Sequence, residues 1–194
     1  MNYDLGTKNT VVIARIEAKD SNNIVSDSRI VLSGPTLLEF NRSNLRETDG
    51  DLSGTYLVLY NNDRVEYGEF RFRDLKGTMY INHLPMAYDI HLNYNSNFIP
   101  GDGSDLVLNW LGLPLGEYES VSVELKNIAT GNPIVFYDHD SVSVTIPGDR
   151  LVDLPDGDYM MSISRLYNPP LIDSSSAGGS MSSTYTSVVQ QVTL

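Results

Sequence analysis

The chain has 194 residues, with 13 Lys and Arg against 25 Asp and Glu, a formal net charge of −12 and no Cys. This charge balance argues against a nucleic-acid partner, because there is no basic patch to neutralise phosphates. The absence of Cys excludes disulfides, thiolate catalysis and Cys-based zinc sites. A hydrophobic fraction of 41% can supply a buried core, which predicts one large or two small folded domains.

The first elements of the chain are not a targeting signal. Residues 1–12 contain neither the basic start nor the apolar stretch of a secretory signal. No segment approaches the roughly 18 apolar residues of a membrane span, so we expect no membrane insertion. Met1 is either a natural start or the result of trimming a longer protein, and we favour the natural start.

Strand signals recur along the whole chain, whereas helical periodicity is nearly absent. Branched and aromatic residues alternate with polar ones in segments 10–18, 27–33, 36–40, 55–61, 69–73, 120–125 and 141–146. Turn-forming residues punctuate these segments, as in 61–63 and 130–132. Short strands separated by such turns predict an all-β fold, an antiparallel sandwich or barrel.

Two distant segments share one pattern and suggest a duplication. Residues 79–95 and 151–170 each contain a Leu-Pro pair, a nearby Tyr and an alternating run. Aligning the halves on them matches 36–40 with 105–110, 54–63 with 119–127, 66–74 with 133–141 and 77–81 with 141–146. Residues 95–104 are rich in turn formers and lack alternation. We therefore expect two domains, 1–98 and 99–194.

The segment from Leu154 to Tyr159, followed by an alternating run, resembles the E-to-F corner of fibronectin type III and related immunoglobulin-like domains. The resemblance implies that the Tyr159 hydroxyl bonds back to the corner backbone and that Trp110 is a core residue. Tyr88 would be the matching tyrosine of the first half, where the corner is one residue shorter and Trp is absent. The expected fold is two tandem Ig-like or fibronectin-like antiparallel β-sandwiches.

The sequence lacks the common catalytic motifs. The sequence has no Gly-x-Ser-x-Gly elbow, phosphate-binding glycine loop or dinucleotide fingerprint. His83, His91 and His139 show no metal-ligand spacing. We expect a protein that is not an enzyme and needs no cofactor.

Acidic loops leave one weak metal hypothesis. Asp102 and Asp105 supply oxygen ligands on a loop at the proposed domain junction, where calcium could stiffen the connection. An Asp-Gly sequence is above all a turn signal. Plain turns are therefore the favoured interpretation.

Two groups of residues are candidates for binding. Tyr118, Tyr137 and Tyr167 lie near predicted loop tips, where aromatic rings could contact a protein or stack on a sugar. Ser176, Gly178 and Met181 belong to the Ser- and Gly-rich segment 173–183 between predicted strands F and G. That segment is a flexible loop or is held in place by a partner.

The functional expectation is a non-enzymatic structural or binding protein. An acidic, Cys-free pair of sandwiches is similar to the decoration, capsid-auxiliary and tail-associated proteins of tailed phages, which implies location in the virion and other protein subunits as partners. This expectation rests on class resemblance and not on a motif. The alternatives are an extracytoplasmic bacterial surface or adhesin module and a carbohydrate-binding sandwich with glycan partners.

Overall fold

The structure is a computed structural model that describes residues 1–15, 17–19, 25–29, 32, 35–47, 55–93, 103–138, 142–152, 154–175 and 179–193. Within these residues the chain consists of β-strands and one short helix. The strand pairs whose register is defined are antiparallel. The prediction of an all-β, antiparallel fold is confirmed.

The chain forms two compact units, each built from three segments. Unit 1 comprises Met1–Tyr3, Lys8–Met86 and Asn168–Ser183, and unit 2 comprises Asp4–Thr7, Ala87–Tyr167 and Thr184–Leu194. The predicted boundary between residues 98 and 99 falls in 94–102, which lies outside the described residues. The division into domains 1–98 and 99–194 therefore stays a prediction.

The first ten strands lie mainly in unit 1. They are β1 Asn2–Asp4, β2 Asn9–Arg15, β3 Glu17–Lys19, β4 Val25–Arg29, β5 Leu37–Phe40, β6 Ser43–Asn44, β7 Arg46–Glu47, β8 Thr55–Tyr60, β9 Tyr67–Arg73 and β10 Met79–Pro85. One sheet has the order β6–β5–β9–β10, a second run has the order β1–β2–β8–β7, and β3 pairs with β4. The core contains Phe40, whose ring lies 4.9 Å from that of Phe70 on the neighbouring strand. Gly68 is required beside it, because a Cβ there would overlap the Phe40 ring.

The remaining elements lie mainly in unit 2. They are β11 Ile90–Asn93, β12 Leu106–Gly112, β13 Glu119–Asn127, β14 Pro133–Asp138, β15 Ser143–Ile146, α1 Gly148–Val152, β16 Asp158–Tyr167, β17 Ser183–Thr186 and β18 Gln190–Thr193. One sheet has the order β11–β12–β15, and the other contains β14–β13–β16, with β17 and β18 both beside β16.

Alternation along β13 and β16 builds the core of unit 2. Val121, Val123 and Leu125 on β13 are fully buried, and their register partners on β16 include the buried Met161 and Ile163. Successive side chains of a strand point to opposite faces, so these residues share the inner face of the sheet. Arg165 is the next residue of this alternating series, so its side chain also points to the inner face.

The sequence match between the two halves does not extend to strand pairing. The matched segments form strands in both units, but β12 pairs with β15 whereas the matching β5 and β10 are separated by β9. Likewise β13 pairs with β14, while the matching β8 pairs with β2 and β7 and not with β9. The shared pattern therefore reports similar local strand chemistry, and the two units differ in sheet order.

Candidate functional site

The candidate site of unit 2 is organised around Arg165, a charged residue on the inner face of β16. Its side chain is 1% exposed, and that of its partner Glu119 at the start of β13 is 6% exposed. A guanidinium removed from water is tolerated only if its charge and its N–H groups are satisfied. Glu119 supplies the counter-charge, and four of the five N–H groups of Arg165 are hydrogen-bonded.

Four hydrogen bonds hold the Arg165 guanidinium. Nε donates to Glu119 Oε1 at 2.9 Å and Nη2 donates to Glu119 Oε2. Nη1 donates to the carbonyl oxygen of Leu113 at 2.7 Å, and Nη2 also donates to that of Pro114 at 2.9 Å. A bidentate pair of this kind fixes orientation as well as charge. Arg165 thus ties the loop after β12 to the sheet.

The turn that follows is closed by the same carboxylate. The Gly116 amide donates to Glu119 Oε2 at 2.6 Å, and the Glu119 amide donates back to the Gly116 carbonyl at 3.3 Å. Tyr118 lies within this turn with a φ of 65°, a left-handed conformation that is uncommon for a residue with a Cβ. Because the backbone is held on both sides, the Tyr118 ring is presented outward and is 49% exposed.

Neighbouring side chains raise the pKa of the Tyr118 phenol. A hydrogen bond with the Glu117 carboxylate raises the pKa of the Tyr118 phenol above its ordinary value, and the negative charge of Glu117 adds to this effect. Tyr167 contributes a smaller increase to the same pKa. On the backbone, Tyr167 is the register partner of Glu119, the residue that follows Tyr118.

Tyr88 also packs against Arg165. Its ring centroid lies 5.5 Å from Arg165 Cζ, within cation–π distance, while the ring remains 59% exposed. Leu113, whose carbonyl binds Arg165, is 54% exposed. We call Tyr88, Leu113, Tyr118 and Tyr167 the tyrosine surface.

The structure brings together two of the three predicted binding tyrosines. Tyr118 and Tyr167 belong to the tyrosine surface, with Tyr167 half-buried. Tyr137 is 73% exposed on β14, opposite Ser122 in register, and is not part of this cluster. Tyr88 was predicted for a corner of the first half, but it packs in unit 2 against Arg165 instead. The reason is that the chain leaves unit 1 at Met86, before this tyrosine.

The segment between the predicted strands F and G is held by its own chain. Asn82 on β10 donates from Nδ2 to the Asp173 carbonyl at 2.6 Å, and its Oδ1 accepts from the amides of Ile172 and Asp173 at 2.9 and 3.0 Å. The Ile81 amide donates to Asp173 Oδ2 at 3.1 Å. These contacts are within unit 1, and they anchor the start of the segment on the edge strand β10.

The other predicted residues of this segment are only partly described. Met181 is half-buried in unit 1. Ser176 and Gly178 lie outside the described residues. Their predicted role in binding stays a prediction.

The calcium hypothesis is not strengthened by the geometry of its one described ligand. Asp105 uses Oδ1 to accept the Gly148 amide at 2.9 Å, at the start of α1. Gly148 is needed there because a Cβ would collide with the backbone of residues 103 and 104. Asp102 lies outside the described residues. Across the part of the chain that the structure describes, no three His, Asp or Glu side chains are grouped as metal ligands would be.

Of the three residues predicted to be structural, Tyr159 and Trp110 occupy core positions, whereas Tyr88 is 59% exposed. The Tyr159 hydroxyl donates to the Pro155 carbonyl at 2.8 Å, and the side chain is buried at 1% exposure. This is the geometry expected for the corner. Trp110 is 6% exposed on β12 beside Leu92, its register partner. Its buried Nε1 has no hydrogen-bond partner among the described residues.

The histidines serve as packing groups where they are described. His83 stacks on Tyr67 with ring centroids 5.5 Å apart, and His91 meets the Tyr185 ring edge-on at 6.1 Å. His139 lies outside the described residues.

Arg165 and Glu119 were the residues that sequence reasoning missed, although the sequence contained a signal for them. Arg165 follows Tyr159, Met161 and Ile163 at intervals of two, which assigns it to the inner face. Glu119 precedes Val121 and Val123 in the same way. A charge on an inward position requires a partner, and two opposite charges on inward positions suggest a pair.

Comparisons with known proteins do not assign the chain to a family. No family model matches the sequence, and no curated protein sequence matches it. In the ranges that the structure describes, there is no helix with the length and apolarity needed to cross a bilayer.

Proposed function

We propose that the chain is a non-enzymatic structural and binding protein that docks on a larger protein assembly through the tyrosine surface of unit 2. The observation that carries this proposal is the buried Arg165–Glu119 pair, which fixes the loop bearing Tyr118. Exposed aromatic side chains on a fixed backbone are well suited to association, because little conformational freedom remains to be lost on binding.

The composition of the surface supports the same function. Tyrosine is enriched at protein interfaces because its ring buries a large apolar area and its hydroxyl still finds a hydrogen-bond partner. Tyr88 and Tyr118 are about half exposed or more, and so is Leu113, whose carbonyl binds Arg165. These side chains would become the buried centre of an interface, with Glu117 at the rim.

The fold proposal that accompanies this function is a fibronectin type III-like or Ig-like sandwich for unit 2. In this unit, one sheet contains β11, β12 and β15, and the other contains β13, β14, β16 and β18. This arrangement of strands supports the proposal. The hydrogen bond from Tyr159 to the corner backbone also supports it. For unit 1 the strand order differs, and the proposal is a β-sandwich of a related kind.

The assembly that we favour is the virion of a tailed phage, in which the chain would serve as a decoration, capsid-auxiliary or tail-associated protein. The support is resemblance of class: an acidic, Cys-free protein of β-sandwich type. Its partners would be other virion subunits. The alternative assembly is a bacterial cell surface, where the chain would act as an adhesin module.

A fractionation experiment separates these locations. The chain is expressed with a C-terminal epitope in cells that carry its gene, and lysates are resolved into particle, envelope and soluble fractions by density-gradient centrifugation. The proposal predicts that the chain sediments with particle proteins and that Tyr118→Asn releases it. Recovery of the wild-type chain in the envelope fraction would instead support the surface module.

Carbohydrate binding is the second candidate function, and one observation favours it. Tyr118 is exposed and directly precedes Glu119, whose register partner is Tyr167, so two tyrosines lie at neighbouring strand ends where a sugar could stack. A glycan array would show saccharide binding that is lost in Tyr118→Asn. Retention of that binding in the variant, or its absence from the wild type, would exclude this role for the surface.

A further inference from the structure

The acidic charge of the chain is concentrated in one of its two units. Unit 2 contains 3 Lys and Arg against 13 Asp and Glu, a formal charge of −10, whereas unit 1 contains 10 against 12, a formal charge of −2. One of the three cations of unit 2, Arg165, is buried and neutralised by Glu119. The other charged residues of unit 2, apart from this pair, are Lys126 and Arg150 against 12 Asp and Glu.

A charge imbalance of this size favours partners with a positively charged surface. A strongly negative surface raises the association rate of positively charged surfaces and slows that of anionic ones. Nucleic acid and a second acidic unit 2 are disfavoured for the same reason. Charge complementarity alone does not identify where a basic partner would bind.

The tyrosine surface supplies the location. The Tyr88 ring already lies 5.5 Å from the Arg165 guanidinium, and 59% of the residue remains exposed for a second contact. Tyr118 adds an exposed ring, and the carboxylate-bearing Glu117 directly precedes it in the same turn. Aromatic faces next to a carboxylate bind guanidinium groups by cation–π attraction combined with a charged hydrogen bond.

We propose that the tyrosine surface binds an arginine-bearing segment of a partner protein. This inference rests on the proposed docking function and specifies the chemistry of the docked partner. Arginine is preferred to lysine because its planar guanidinium stacks on an aromatic ring while its N–H groups reach the Glu117 carboxylate. The basic segment inserts its guanidinium groups between Tyr88 and Tyr118, with Leu113 contacting their aliphatic stems.

The test uses three fluorescein-labelled peptides of equal length, in which Gly alternates with Arg, with Lys or with citrulline. Citrulline keeps the shape of arginine and removes its charge. Fluorescence anisotropy with the full chain is measured in about 50 mM and about 300 mM NaCl, since salt screens exposed charges. We expect the Arg peptide to bind about tenfold more tightly than the citrulline peptide, and more tightly than the Lys peptide.

Matched variants localise the binding. Tyr118→Asn removes the ring with a residue that tolerates the left-handed backbone at this position, and Tyr137→Asn makes the same exchange at an exposed site on β14. Each exposed ring contributes roughly a two- to fivefold change in affinity, so Tyr118→Asn should weaken binding by that factor and Tyr137→Asn should not. Tyr118→Phe, which keeps the ring, tests whether a loss of binding reflects the ring or disturbance of the turn.

A second pair of variants tests the charge. Glu117→Gln should weaken binding of the Arg peptide more than Asp156→Asn does. The second substitution also removes one negative charge, at the exposed corner before β16. Equal binding of the Arg and citrulline peptides, or equal losses in the members of each variant pair, would overturn the proposal. If the chain sediments with particles but shows no preference for arginine, the docking function stands and only this inference fails.

Discussion

At the scale of single residues, unit 2 depends on buried polar groups that are hydrogen-bonded. Tyr159 and Arg165 lie on the inner face of the same strand, β16, and each satisfies its polar group with backbone carbonyls of a neighbouring loop. Such bonds add little net stability when made but cost much when one partner is left unpaired. Removing one partner should therefore destabilise unit 2 both at Tyr159 and at Arg165.

The first concerns the corner tyrosine. Tyr159→Phe removes the hydrogen bond to the Pro155 carbonyl while keeping the buried ring, so the free energy of unfolding should fall by about 1 kcal/mol. Urea denaturation followed by fluorescence measures this change. Tyr137→Phe, at an exposed position, is the control and should leave stability unchanged. An unaltered midpoint for Tyr159→Phe would refute the role of the corner bond.

The second concerns the buried ion pair. Arg165→Met leaves the Glu119 carboxylate buried without its counter-charge, which should cost about 3–5 kcal/mol of unfolding free energy. The double variant Arg165→Met/Glu119→Leu removes both charges and should be more stable than Arg165→Met alone. Urea denaturation of the single and double variants measures the coupling. Additive losses would show that the two side chains do not act as a pair.

Some of these residue roles could be predicted from the sequence. Tyr159 and Trp110 could be assigned to the core because a Leu-Pro turn and strict alternation define their surroundings locally. Arg165 and Glu119 were missed because the pair joins residues 46 positions apart. Only the inward position of each in its strand pointed to the other.

At the scale of elements, the alternating runs located strands well but could not determine their pairing. The prediction of a strand at 120–125 corresponds to β13, Glu119–Asn127, because alternation is a local property. Strand pairing depends on contacts between residues far apart in the chain, and strands of similar sequence can pair with different neighbours. For this reason β8 and β13 share a sequence pattern and have different partners.

The segment after β16 shows the same limit. Its Ser- and Gly-rich composition gave no indication that Asn82, some 90 residues earlier, binds Ile172 and Asp173. An edge strand such as β10 has unpaired backbone groups, and covering them protects the sheet against association with other strands. The contact between Asn82 and Asp173 thus has a structural purpose within unit 1.

Removal of the Asn82 amide tests this contact. Asn82→Ala eliminates the three hydrogen bonds that its side chain makes with Ile172 and Asp173. The amides of these two residues should then exchange with deuterium at least about tenfold faster, because local opening costs less free energy. Asn44→Ala on the exposed strand β6 is the control. Unchanged protection at Ile172 and Asp173 would show that Asn82 does not hold the segment.

At the scale of the whole molecule, the chain combines a nearly neutral unit 1 with a strongly acidic unit 2. The net charge follows from the composition, but its distribution depends on which segments form each unit. The proposed docking function uses this distribution, since the exposed tyrosines lie in the acidic unit. The location in a virion remains a proposal that fractionation tests.

The stability of the chain that begins at Met1 should depend on pH between about 6 and 8. Met1 is buried, its amine donates to the Ser182 carbonyl at 2.8 Å, and burial lowers the pKa of this amine from 8.0 to about 6. In this interval the unfolded chain binds a proton that the folded chain does not, so the free energy of unfolding rises with pH, by about 1–3 kcal/mol.

Chemical acetylation of the amine provides the control for this dependence. The acetylated chain lacks the titrating group and should lose this contribution. Thermal or urea unfolding at pH 6, 7 and 8 compares the two forms. An identical pH dependence would show that the Met1 amine is not buried in solution.

The most direct test of the docking surface is photo-crosslinking inside cells that carry the gene. A photoreactive phenylalanine analogue is placed at position 118 in one variant and at position 137 in another, since both sites are exposed tyrosines of unit 2. We predict a discrete crosslinked product from position 118, with an arginine-bearing peptide of another protein subunit identified by mass spectrometry, and little or none from position 137. Equal products from both positions, or none from position 118, would contradict docking through the tyrosine surface.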